Sequence, residues 1–376
     1  MTLLETELTA TTARAPQRRC SGLTDESEHI ALRGCHVLGR DSLGVAAHVV
    51  RTANYAAERD PRGYERVMDA VERHLGALAE AGIERSPRPR LGAEGRARLA
   101  SLHPVLDEWW GDGPAPEGSD FEFGYLRRWR DQVPSAAALW PLQHPGDPVL
   151  PGGRGAIPNA DDWAALTHTW DAIGIRSRGA VVSALLRDRF ADSGSRAWLS
   201  LGSGALSPLM DAARDLARSG SPCMLEVRDG DERALSLAET LSARADVPVF
   251  TQQQDLYDLH AIERAGEGYD LVDLVGLFEY LPDEPMFTGS ARVPSASEML
   301  RAALCATRPG GAVILGNMRT DRPHLDFVTR IIQWPYIVPR SLEELVTVID
   351  RAGVARERVT LHLPDDDVYA VATIEA

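Results

Sequence analysis

The sequence contains no lysine, so arginine supplies every one of its 40 basic residues. Acidic residues number 55, and the formal net charge is −15 at pH 7. An acidic protein is poorly suited to binding along a phosphate backbone. The densest arginine cluster, at Arg127, Arg128 and Arg130, fits a solvated helix face. We therefore predict no nucleic-acid partner.

Cysteine is also scarce, and no two cysteines form a CxxC pair. This spacing predicts neither a metal site nor a disulfide framework. No stretch of about 18 apolar residues is present, and the first twenty residues lack the uninterrupted apolar run of a signal peptide. We expect a cytoplasmic protein with no membrane partner and no metal. A homodimer is left open.

The length of 376 residues suits two domains. Residues 1–28 lack periodicity and are predicted to be a disordered arm. Residues 29–150 are predicted to form a helical domain, because apolar residues recur at helical spacing and no alternating strand pattern is evident. Val45, Val49 and Ala53 are expected to share one helical stripe.

The predicted boundary lies in a segment rich in proline and glycine, residues 141–157. Residues 151–376 form the second predicted domain. Two helices come first, and strands and helices then alternate, which favours a parallel sheet with helices on both faces. The chain is expected to end in an antiparallel hairpin. A capping box of Ser341 and Glu344 is expected to begin the last long helix.

The stretch RAWLSLGSGALSP, residues 196–208, organises this second domain. A short apolar strand ends, Gly202 and Gly204 turn the chain, and a helix follows. Such a turn lets backbone N–H groups approach a ligand closely. About 20 residues on, the next strand ends at Asp229, where a carboxylate can accept both hydroxyls of a ribose. Glu226 and Asp231 are rivals for that role.

Taken in order, the segments LSLGSG, LEVRDGDERAL, QQDLYDL, YDLVDLVGLFEYL and RPGGAVILGN resemble the class I S-adenosylmethionine-dependent methyltransferases, over residues 178–376. The resemblance implies a Rossmann-like α/β fold with a seven-stranded sheet, S-adenosyl-L-methionine as cofactor and a small-molecule acceptor. Two positions depart from the family pattern. Ser200 stands where an acidic residue is usual, and Leu206 stands where a third glycine is usual.

The resemblance also implies site residues. At the cofactor we expect Ser200, Gly202, Ser203, Gly204, Asp229, Asp255, Leu256 and Phe278, the last offering a π face to the sulfonium. The candidate catalytic residues are Glu279, Tyr280 and His324, whose ordinary pKa suits a general base. The acceptor side is expected to include Asn317, Trp334 and Tyr336. Residues 36–140 are expected to form a helical cap over that side.

The sequence leaves other functions open. Attack at the aminocarboxypropyl carbon would give group transfer or ring closure with release of methylthioadenosine. A NAD-dependent oxidoreductase also fits the acid after the second strand, although the loop is not GxGxxG. A binding protein without turnover is the fourth reading. The absence of lysine is typical of a GC-rich coding sequence and suggests specialised (natural product) biosynthesis.

Overall fold

The computed structural model describes residues 24–26, 30–39, 43–80, 133–145, 160–192, 196–202, 204, 206–263, 268–288, 291–332 and 334–376. The strands are β1 Thr24–Glu26, β2 Ile30–Gly39, β3 Ala46–Asn54, β4 Arg196–Leu201, β5 Cys223–Asp229, β6 Val249–Gln253, β7 Tyr269–Leu274, β8 Met286–Thr288, β9 Ala291–Val293, β10 Thr307–Met318, β11 Val359–Pro364 and β12 Tyr369–Glu375.

The helices are α1 Tyr55–Arg59, α2 Pro61–Glu80, α3 Ala136–Gln143, α4 Ala160–His168, α5 Trp170–Phe190, α6 Ser207–Arg218, α7 Glu232–Ala245, α8 Leu259–Glu263, α9 Ala296–Ala306 and α10 Leu342–Arg351. Short turns of helix lie at Phe278–Tyr280, Phe327–Ile331 and Arg356–Arg358. Helix α10 begins with the predicted capping box, in which Ser341 and Glu344 bond each other's backbone N–H groups.

One sheet runs through the molecule in the order β1-β2-β3-β11-β12-β10-β7-β4-β5-β6. Strands β6, β5, β4, β7 and β10 are parallel neighbours. Strand β12 is antiparallel to both β10 and β11, which confirms the predicted terminal hairpin. The Rossmann-like α/β fold is therefore confirmed, and the sheet has ten strands in the described residues where seven were predicted.

The additional strands are β1, β2 and β3, so the prediction of a purely helical segment after residue 29 is wrong. The predicted stripe of Val45, Val49 and Ala53 has a spacing of four, which is also a multiple of the two-residue period of a strand. Strand β3 carries adjacent β-branched residues, Val49 and Val50, and pairs with β2 on one side and β11 on the other. Tertiary pairing thus decides between two compatible patterns.

The start of the predicted disordered arm lies outside the described residues, but its end, Thr24–Glu26, is strand β1. Helix α5 begins at Trp170, within the first of the two helices predicted before the sheet. The two helices predicted between residues 93 and 132, and most of the predicted linker, lie outside the described residues. The domain boundary near residue 150 stays a prediction.

Within the described ranges, three apolar clusters build the core. One lies between the sheet and helices α5, α6 and α7. The second lies on the opposite face, under α9 and α10. The third joins α2, α3 and α4 to the turn Phe327–Ile331 and the beginning of β12. Because this third cluster lies beyond the end of β10, it brings α2 next to the carboxyl edge of the sheet.

Candidate active site

Five parallel strands end at the same edge of the sheet, where ligands of open α/β folds bind. Strand β4 ends in the glycine turn. Gly202 and Gly204 have φ values of +64° and +51°. A Cβ atom at Gly202 would lie 3.0 Å from Cβ of Leu277 and 3.4 Å from Cδ1 of Leu256. Glycine is therefore required both by conformation and by the close approach of these side chains.

Leu206 also has a positive φ, +53°, and stands just before α6 without a side-chain cap. The left-handed conformation costs a non-glycine residue about 1 kcal/mol or more. The turn is therefore formed with backbone strain at a buried leucine, at the position where the resemblance predicts a glycine. Ser203 lies outside the described residues.

Asp229 lies at the end of β5 and beside the glycine turn. Its Oδ1 accepts a hydrogen bond from the backbone N–H of Asp231 at 2.9 Å. Burial raises the pKa of the Asp229 carboxyl, and the backbone N–H groups of Asp231 and Gly204 oppose that rise. The structure thus brings together the predicted turn and the predicted ribose ligand.

Glu226 and Asp231, the alternatives to Asp229 as ribose ligand, form hydrogen bonds within the protein. The carboxylate of Glu226 accepts from Nε of Arg228 at 2.7 Å and from the hydroxyl of Tyr269 at 2.6 Å. Asp231 is the N-cap of α7 and accepts from the backbone N–H of Arg233 at 3.0 Å. Each therefore has a structural task.

The loop after β6 carries Asp255 and Leu256. Leu256 is buried against Gly202, while Asp255 is exposed and accepts from the backbone N–H of Tyr257 at 2.9 Å. Burial raises the pKa of the Tyr257 phenol, and the electrostatic effects of Asp255 and Tyr336 raise it further. Tyr336, with 77% of its surface exposed, therefore lies near this loop, on the outside of the molecule.

Ser200 and Asp273 are paired residues on β4 and β7. The Ser200 hydroxyl donates to Oδ2 of Asp273 at 2.7 Å, and the Val275 backbone N–H donates to Oδ1 at 2.9 Å. Both side chains are buried. A buried carboxylate thus lies on the neighbouring strand, directly opposite Ser200.

A buried ion pair lies at the end of β7. Nη1 of Arg178, on α5, donates to Oε1 of Glu279 at 3.0 Å. The Arg178 guanidinium also stacks 4.4 Å from the ring centre of Tyr369. Oε2 of Glu279 and the Tyr369 hydroxyl are buried and have no hydrogen-bond partner among the described residues. Burial raises the pKa of Glu279, against the charge of Arg178.

A second buried ion pair joins Asp171 to Arg322 at 2.7 Å. Nη2 of Arg322 is also buried without a partner within the described part of the chain. The charges of Asp171 and Arg322 both act on the pKa of Tyr369, whose ring also stacks on Arg178. The two ion pairs therefore lie close together. Such open donors and acceptors in a native interior call for an explanation, and a bound polar ligand is one.

His324 is next to this group. Its Nε2 lies 2.9 Å from Oε1 of Glu72, on α2, and its ring meets the edge of Trp170. Burial lowers the pKa of the His324 imidazole, and Glu72 opposes that shift. The helix α2 thus contacts the predicted acceptor side through a candidate catalytic residue.

Four other predicted residues lie deeper or are occupied. Nε1 of Trp334 donates to the Tyr280 hydroxyl at 2.9 Å, and burial raises the pKa of that phenol. Phe278 is fully buried, with its ring 5.4 Å from the Arg340 guanidinium. The side-chain amide oxygen of Asn317 accepts from Arg340 at 2.6 Å. Phe278 and Asn317 therefore contact Arg340 inside the protein, and their predicted contacts with a ligand stay predictions.

Sequence reasoning missed Arg178, Asp171, Arg322, Tyr369 and Asp273. One signal was available. Asp273 interrupts the apolar run LVDLV, which has the composition of a buried strand, and a charge there needs a reason. Among the described residues no group of three or more His, Cys, Asp or Glu side chains could hold a metal ion. Nor does any described helix have the length and apolar character to cross a membrane.

No family model matches the sequence, and no curated protein matches it significantly. Solved structures are similar. A protein described as a possible exported protein from Bordetella parapertussis has 19% identity and a TM-score of 0.52, over 76% of this chain and all of its own. An O-methyltransferase family protein from Burkholderia thailandensis has 17% identity and a TM-score of 0.43, over 85% of this chain and 96% of its own. At such identities the likeness concerns the fold.

Proposed function

We propose that the protein is a methyltransferase that uses S-adenosyl-L-methionine and acts on a small-molecule acceptor. The observation that supports this most is the pairing of a tight glycine turn after β4 with the Asp229 carboxylate after β5. Two adjacent parallel strands thereby place a tight turn and a ribose acceptor at one edge of the sheet. A place in specialised metabolism stays a prediction from the sequence.

The residues present fit such a cofactor. Gly202 leaves free the space that a Cβ atom would fill, next to Leu256 and Leu277. Asp229 would accept the ribose hydroxyls, and the apolar Leu256 would contact the adenine. The buried, open polar atoms of Glu279, Tyr369 and Arg322 lie at the end of the next strands, where an acceptor would reach the methyl group.

Bound S-adenosylmethionine supplies a methyl group whose bond to a positively charged sulfur breaks as the acceptor's lone pair forms a bond to that carbon. The chain must align the acceptor, exclude water and, where the acceptor carries a proton, remove it. We assign proton removal to Oε2 of Glu279, which takes the proton from the acceptor atom. Arg178 holds Oε1 at 3.0 Å and so orients the carboxylate.

Tyr280 and His324 take supporting parts in this proposal. Burial raises the pKa of the Tyr280 phenol, so the phenol keeps its proton and can donate it, while its oxygen accepts from Trp334. His324 bridges Glu72 of α2 to the edge of the site. Its lowered pKa favours a neutral imidazole at pH 7. We assign to it the positioning of α2 over the acceptor.

Purified protein is expected to bind S-adenosylmethionine and S-adenosylhomocysteine with a dissociation constant on the order of micromolar, about −8 kcal/mol. NAD is expected to give no signal, because the loop lacks the GxGxxG pattern of dinucleotide sites. Isothermal titration calorimetry and thermal shift check both. A response to NAD, with none to either adenosyl compound, would contradict the proposal.

Asp229→Ala is expected to weaken binding of S-adenosylhomocysteine by about 1.5–3 kcal/mol, the range for hydrogen bonds to a charged group. Asp231→Ala is the matched control, two residues away. It removes the N-cap of α7 and is expected to lower the free energy of unfolding by about 1 kcal/mol without lowering the affinity for the ligand. Equal affinities in the two variants would assign the ribose to another residue.

A further inference from the structure

Asp273 is a buried carboxylate whose two hydrogen bonds come from neutral donors, the hydroxyl of Ser200 and the backbone N–H of Val275. Only 4% of its surface is exposed. Among the described residues no cation lies within ion-pair distance of Asp273, although the positive charge of Arg178 is near enough to lower the pKa of Asp273. The guanidinium of Arg178 is instead bonded to Glu279.

A charge in this position is costly for folding alone. Burial raises the pKa of Asp273 to about 6, and the bonds from Val275 and Ser200 and the charge of Arg178 limit the rise. Asp270, at the beginning of the same strand, shows the usual solution. It is equally buried but forms ion pairs with Arg196 and Arg308. Asp273 lacks such a partner and lies at the other end of the strand, at the ligand-binding edge.

We propose that Asp273, together with Ser200, binds the ammonium group at the amino-acid end of S-adenosylmethionine. This inference depends on the proposed function. Ser200 lies two residues before Gly202 and faces Asp273 across the parallel pair. Its hydroxyl donates to the carboxylate, so its oxygen lone pairs remain able to accept from an N–H group. The two side chains thus offer two acceptors to one cation.

This assignment also explains the departure at Ser200. The acidic residue is moved from β4 to its register partner on β7, and the serine links the carboxylate to the strand that carries the turn. Because the Ser200 hydroxyl and the Asp273 carboxylate are 2.7 Å apart, a negative charge on β7 lies little more than one hydrogen-bond length from the position it would have on β4. The ammonium ligand can therefore be held from either strand.

The test measures the affinity of three probes for the wild type and for Asp273→Asn by calorimetry. The probes are S-adenosylhomocysteine, its decarboxylated amine analogue and methylthioadenosine, which lacks the ammonium group. The variant is expected to bind the first two about 10- to 100-fold more weakly. Its affinity for methylthioadenosine should not change. Asparagine can accept from the Val275 N–H through Oδ1 and donate to the Ser200 oxygen through Nδ2, so the melting temperature of the free variant should be unchanged or higher.

Two further variants complete the test. Asp270→Asn removes a buried carboxylate from the same strand and is expected to lower the melting temperature while leaving all three affinities unchanged. The exchange Ser200→Asp with Asp273→Ser returns the charge to β4 and is expected to recover most of the affinity for the two amines. It also provides the answer if Asp273→Asn fails to fold.

Three outcomes would overturn the inference. Asp273→Asn could bind S-adenosylhomocysteine as the wild type does. It could lose affinity equally for all three probes. The exchanged variant could also fail to recover affinity for S-adenosylhomocysteine and its decarboxylated analogue. Either of these two results would leave Asp273 with a structural role only. A wild type that binds none of the probes would instead refute the proposed function, and this inference with it.

Discussion

Glu279→Gln is expected to lower the rate of methyl transfer by about 10²- to 10⁴-fold, the range for removal of a general base. The reason is the open oxygen. Arg178 occupies Oε1 of Glu279, whereas Oε2 has no partner among the described residues. Formation of S-adenosylhomocysteine would be measured with the acceptor that best supports wild-type turnover in a panel of phenols, carboxylic acids, amines and activated methylenes. The affinity for S-adenosylhomocysteine should not change.

The chain offers a matched control for this experiment. Glu226 is also paired with an arginine and a tyrosine in the same sheet, but both of its oxygens are bonded, to Arg228 and Tyr269. Glu226→Gln is therefore expected to affect stability and leave turnover close to the wild-type rate. Equal loss of turnover in the two variants would contradict the role assigned to Glu279.

Arg178→Met is expected to lower the free energy of unfolding by about 3–5 kcal/mol, because it leaves Glu279 buried and charged without its partner. Both members of this pair are almost wholly buried. The double variant Arg178→Met with Glu279→Gln should recover part of that loss, since the buried charge is then gone. Chemical denaturation of the ligand-free protein measures all three values.

Arg189→Met is the control on the same helix, α5. Arg189 forms a two-point ion pair with Glu375 at 2.6 and 2.7 Å, but half of the Glu375 side chain is exposed. Solvent screens such pairs, and the expected loss is about 1 kcal/mol or less. If Arg178→Met cost no more than this, the pair with Glu279 would not be the structural anchor of the site.

The part of the fold that repeats strand and helix could be predicted from the sequence. Strand β4, the glycine turn and α6 follow from local chemistry, since apolar residues, two glycines and a helical spacing succeed one another within about 20 residues. Asp229 could be placed for the same reason, because it directly follows a recognisable strand. These are local signals, and they do not depend on distant partners.

The rest of the site depends on contacts that local patterns do not contain. Arg178 lies in a helix whose residues are buried nearly all round, and its partner Glu279 is 101 residues away. The same limit applies to β3. Its pairing with β11 overrides a spacing that is equally compatible with a helix. Phe278 and Asn317 were predicted at the ligand on sequence position alone, and their contacts with Arg340 could not be read from it.

The pairing of β3 with β11 also constrains the synthesis of the protein. On the side away from β2, strand β3 makes its hydrogen bonds with β11, which is synthesised much later, and the backbone N–H and hydroxyl of Thr52 donate to Asp365, 313 positions further along the chain. At about 5–20 residues per second, the early strands wait roughly 15–60 s for this partner. Their unpaired edges are open to other chains during that time. We therefore expect nascent chains that stop before β11 to expose this edge of β3.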